Sequence, residues 1–115
     1  MDYSKYVNQM EYPKRPVEPI QPKNGIPQLY REYADALDIY NTQKKEYNHL
    51  RQKYNEKDSE LYAAFKVDAL KEVGLWGHEA GNRAFELAWD KGHANGYSEV
   101  FIYLEQIAYV VLGPR

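Results

Sequence analysis

Residues 28–73 contain no glycine and no proline, and Tyr33, Tyr40, Tyr47, Tyr54 and Leu61 recur within them at intervals of seven. Seven residues are two helical turns, so the repeated rings fall in one narrow seam of a helix that nothing in the sequence interrupts. The reading is one long helix over 28–73, about 69 Å if unbroken. Residues 55–59 are its weakest helical patch, where Asp58 or Ser59 could cap a new start. Leu29, Tyr30, Tyr33, Leu37 and Tyr40 enrich one end, and Leu61, Tyr62, Phe65, Leu70 and Val73 the other. Between them only Tyr47, Leu50 and Tyr54 are large and apolar. A stripe that narrow buries against one neighbour, not into a broad core.

The preceding residues supply such a neighbour. Pro13, Pro16, Pro19 and Pro22 recur every third residue, and polyproline II has three residues per turn, so the four rings share one face. Asn24-Gly25 reads as a turn and Pro27 as a first helical position. Proline spacing along the arm is about 9.3 Å, and tyrosine spacing along the helix about 10.5 Å. The two ladders can therefore run antiparallel nearly in register. Pro22 is expected near Tyr30 and Tyr33, and Pro13 near Tyr47, with Tyr40 between. Tyr3 and Tyr6 are expected to reach toward Tyr54. Over residues 12–54 this resembles the polyproline–α hairpin of the pancreatic polypeptide hormones, in architecture only. Three alternatives remain: a linear motif for an SH3 or WW partner, whose required cation is misplaced here; a disordered arm; and a second copy of the helix on the seam.

Beyond residue 73, Gly74 suits a left-handed helix cap. Ala80, Ala84, Phe85, Leu87, Ala88 and Trp89 keep helical spacing. Gly92, Ala94 and Gly96 allow a tight corner. Val100, Phe101, Leu104, Ile107, Ala108 and Val111 form the core face of a last helix, begun at Asn95 or Ser98 and stopped by Gly113-Pro114. The fold class is thus all-α: an extended polyproline arm (1–27) on one long helix (28–73), then two shorter helices in a compact head (74–115), as one domain.

Net charge is −2 with 28% charged residues, which lacks the basic excess of a nucleic-acid binder. No apolar run approaches the roughly 20 residues that span a bilayer. Without cysteine, disulfides and thiol catalysis are excluded. Ser4, Ser59 and Ser98 lie outside any nucleophile elbow, and the glycine pairs lack a phosphate-loop lysine. Glu46 with His49, and Asp90 with His93, each put a carboxylate and an imidazole on one helical face, but without the further glutamates of a di-iron site. His78 and His93 with Glu79 or Asp90 could instead hold zinc. Structural histidines at turns are the commoner case, so no metal, cofactor or catalytic residue is assigned. Tyrosines among the cations of the long helix could stack single-stranded nucleic acid, but acids interleave with them.

The segment HEAGNRAFELAWDKGHANGYSEVFIYLEQI is similar to the C-terminal part of a family of short tailed-bacteriophage proteins, with AFxLAWxxGHxxGxxEV as the shared pattern; the match covers about residues 61–112. The resemblance implies a phage origin and carries over no site. The expected function is non-enzymatic binding of a host protein in the host cytoplasm, by a monomer or homodimer. The alternative is a structural or adaptor component of the virion or its assembly. A metal- or single-stranded nucleic-acid-binding role is the weaker alternative. The expected interaction surface is the aromatic head: Trp76, His78, Trp89, His93 and Tyr97.

Overall fold

The computed structural model describes residues 1–114. A 3-10 turn at Tyr3–Tyr6 comes first, then helices α1 (Pro27–Glu72) and α2 (Gly81–Gly92), a second 3-10 turn at His93–Asn95, and helix α3 (Tyr97–Leu112). No strand occurs among the described residues, and the fold is all-α. Helix α1 runs unbroken through residues 55–59, so Asp58 and Ser59 cap nothing. The chain packs as two compact units, one of residues 9–57 and one of residues 1–8 with those from 58 onward.

In the 9–57 unit, the only residues between 9 and 32 that are even half-buried are Pro13, Pro16, Pro19 and Pro22. Burial every third residue is what a threefold extended helix lying on one face produces. Phase decides this rather than hydrophobicity, since Val17 and Ile20 are 85% and 89% exposed. On α1, Tyr33, Leu37, Tyr40, Tyr47 and Tyr54 are half-buried in turn. Pro13 and Pro16 line a cleft with Tyr47 and Leu50, and Pro16 lines a second one with Tyr40 and Tyr47. Tyr12 packs edge-on against Tyr54, ring centroids 5.0 Å apart. Tyr12 is thus the arm residue packed on Tyr54. Tyr30 is exposed and lies against Gly25, where a Cβ would run into its ring.

The second unit gathers the end of α1, then α2 and α3. Helix α1 ends in a Schellman motif: Gly74 has φ 80°, its N–H bonds the Lys71 carbonyl, and Leu75 N–H bonds that of Leu70 at 2.8 Å. The motif turns Leu75 inward beside Leu70, where it is fully buried. Phe65, Leu75, Phe85, Val100 and Leu104 are the largest side chains with no exposure. Ala84 and Ala88 bring α2 close. At the corner, a Cβ on Gly92 would stand 2.7 Å from the backbone nitrogen of Val100, so only glycine fits there unstrained. Gly96 precedes α3 with φ 101° and ψ 174°.

The first eight residues complete this core instead of extending the arm. Asp2 accepts bonds from the backbone and hydroxyl of Ser4 and starts the 3-10 turn. Three residues per turn place Tyr3 and Tyr6 on the same side. Tyr6 is buried edge-on against Phe65 and Tyr97, and Tyr3 meets Phe101 edge-on at 6.3 Å.

Candidate interaction surfaces

The five head residues singled out by sequence do not play one role. Trp89 stacks on His93 with centroids 5.4 Å apart and planes 12° from parallel, while its edge meets Tyr62 at 4.7 Å. Tyr97 stacks on Phe65 at 4.4 Å, and His93 Nδ1 lies 2.7 Å from the Trp89 carbonyl oxygen. Trp89, His93 and Tyr97 therefore hold the α2–α3 corner together, and the tryptophan and tyrosine are half-buried in doing so. Burial, with the charges of Asp58 and Tyr62, pushes the Tyr97 phenol above its ordinary range. Trp76 and His78 sit in the α1–α2 loop instead. His78 Nδ1 accepts the N–H of Ala80 just before α2. Trp76 is 54% exposed, with the Lys71 ammonium 5.5 Å from its ring centre. Of the five, Trp76 presents the large apolar area to solvent.

Sequence periodicity missed a second surface. Val111 has the phase of the core face, yet it is exposed, as are Leu112, Tyr109 and Val110, the last by 82%. Lengths explain this. Starting from their shared corner, α2 has 12 residues and α3 has 16, so α3 runs about one turn past its neighbour. Beside it is a groove of about 710 Å³, with Tyr3, Val73, Phe101 and Ala108 as apolar walls and Glu72 and Glu105 as its carboxylates. Burial, then the Glu105 charge, pushes the Tyr3 phenol up. The legible signal was the six-residue apolar run Ile107–Leu112 at the end of a helix, too long to be covered on one face.

Among the described residues, no three His, Cys, Asp or Glu side chains gather where a metal ion could be held. His49 is exposed on α1. Among the described residues, no helix is long and apolar enough to cross a membrane.

A family model described as a family of unknown function (DUF8546) matches residues 4–112. No curated protein and no solved structure matches the chain.

Proposed function

Since the chain belongs to the DUF8546 family of unknown function, we propose from its surfaces that it works by binding another protein, without chemistry of its own. The observation that carries this reading is the uncovered end of α3, where Tyr109, Val110, Val111 and Leu112 are all exposed. Contiguous exposed apolar area on a small domain marks an interaction site. The adjoining groove carries Glu72 and Glu105, so the fitting partner presents apolar side chains flanked by lysine or arginine. The likeness of AFELAWDKGHANGYSEV to tailed-phage proteins supports a bacteriophage origin, a host protein as that partner, and the host cytoplasm as the place of action.

The test is quantitative affinity purification from infected cells with tagged wild type and with Tyr109→Ser/Val110→Asp. The expected result is one host protein retained by the wild type, lost by the variant, and bound again when both are purified. Equal capture by both would remove the α3 end from the binding site. Copurification with particles, or self-association through the same face, would favour the second reading, a structural or adaptor component of the virion.

A further inference from the structure

The docked arm divides the charges of α1 between two clefts. Gln43, Glu46 and Leu50 line the cleft on one side of Pro16, while Lys44, Asn48 and Arg51 line the one on the other. Positions 44, 48 and 51 lie one and two turns apart on a single helical flank. The arm adds Arg15, which lines both clefts, and Tyr40 and Tyr47 complete the walls. This cleft, of about 280 Å³, therefore holds three cations and no carboxylate, in a chain whose acids outnumber its lysines and arginines 17 to 15. Among the described residues, Arg15, Lys44 and Arg51 form no salt bridge. Their donors are two guanidinium forks, an ammonium and an amide, with two phenols that can donate or accept.

Planar guanidinium forks from two directions, with an ammonium as a point charge, match the three outward oxygens of a phosphate dianion. We propose that the cleft formed by Arg15, Lys44, Asn48 and Arg51 binds a phosphate group, either free or as the terminal monoester of a small molecule. The site forms only when the arm is docked, because Arg15 comes from the arm. It lies in the 9–57 unit and is independent of the protein-binding surface on α3.

The experiment is a ¹H–¹⁵N correlation titration of the full chain with sodium phosphate, repeated with a nucleoside 5′-monophosphate and with sodium chloride at matched ionic strength. The expected result is saturable shifts of the backbone amides of residues 15, 44, 48 and 51 and of the two arginine Nε–H groups, absent with chloride. A tighter curve for the monophosphate identifies an ester as the ligand; equal curves identify free phosphate. Arg15→Ala and Arg51→Gln should each weaken binding at least tenfold, while Lys14→Ala, on the other cleft, should leave it unchanged. The same spectra report whether each variant is folded. Shifts that never saturate, that chloride reproduces, or that survive both arginine substitutions would overturn the proposal.

Discussion

The phenol of Tyr6 donates a hydrogen bond to Oδ2 of Asp68 over 2.6 Å, joining positions 62 residues apart in the chain. The ring beneath it is buried between Phe65 and Tyr97. Ring and hydroxyl can be separated experimentally. Tyr6→Phe keeps the packing and should cost about 1–2 kcal/mol, the worth of a hydrogen bond to a charged group. Tyr6→Ala also leaves a cavity and should cost about 3–5 kcal/mol. Urea unfolding of the full chain measures both, and equal losses would show that the ring contributes nothing beyond its hydroxyl.

Alkaline pH should loosen the same core. Burial, the bond to Asp68 and the charges of Asp68 and Asp2 push the Tyr6 phenol up to about 12. Tyr3 and Tyr97 are shifted the same way, chiefly by burial. A folded pKa above the unfolded value of about 10 means that the native state holds its proton longer. The contribution is therefore complete below pH about 10 and is lost as pH rises through about 12. Thermal melts between pH 8 and 12 should show melting temperature falling from about 10 upward, less steeply in Tyr6→Phe. A flat profile would contradict the assignment.

The corner between α2 and α3 should tolerate no side chain at Gly92. A Cβ there meets the backbone of Glu99 and Val100 at 2.7–2.9 Å, and backbone cannot swing aside. Gly92→Ala should cost about 1–3 kcal/mol by overpacking. Gly96→Ala should cost a similar amount, about 1–3 kcal/mol, for a different reason. Nothing lies near its Cβ, but φ 101° with ψ 174° suits glycine alone. Denaturation midpoints check both, and a D-alanine at 96 introduced by chemical synthesis should restore stability there but not at 92.

The proline ladder gives a prediction confined to the 9–57 unit. Replacing Pro16 and Pro19 with serine frees the unfolded arm and removes two half-buried rings, at a cost of about 0.4–1 kcal/mol per site. Hydrogen exchange of the α1 amides near Tyr40 and Tyr47 should quicken. Unchanged exchange and melting temperature in the double variant would show that the docked prolines contribute nothing to stability.

Leu75 tests the helix stop. It follows the left-handed Gly74 and is fully buried. Leu75→Ala should cost about 2–5 kcal/mol, more than Leu87→Ala on the partly exposed face of α2. Calorimetric melts distinguish them, and equal effects would argue against the Schellman turn as the device that closes the core.

Local rules carried much of the fold. Absence of glycine and proline set α1, the threefold proline period set which arm residues turn inward, Gly74 ended α1 where a left-handed cap was expected, and Gly113 followed α3 where a stop was expected. Each depends on neighbours a few residues away. Tyr3 and Tyr6 were misplaced because their destination depends on which distant surface offers an apolar slot and a carboxylate. The continuation of the arm's register pointed to Tyr54, but Tyr12 already occupies that place. Trp89 and Tyr97 are half-buried at the α2–α3 corner, while His93 stacks on the tryptophan and stays exposed.

Sequence alone thus determined an all-α chain, a proline face matched to a tyrosine seam, and a glycine corner, because period and backbone freedom are written locally. Tertiary structure decided what no period encodes. It closed the head core with the first eight residues, left the last turn of α3 bare because α2 is four residues shorter, and gathered Arg15 with Lys44 and Arg51 on one flank. Burial and charge grouping depend on which distant segments meet, and that is settled only when the chain is packed.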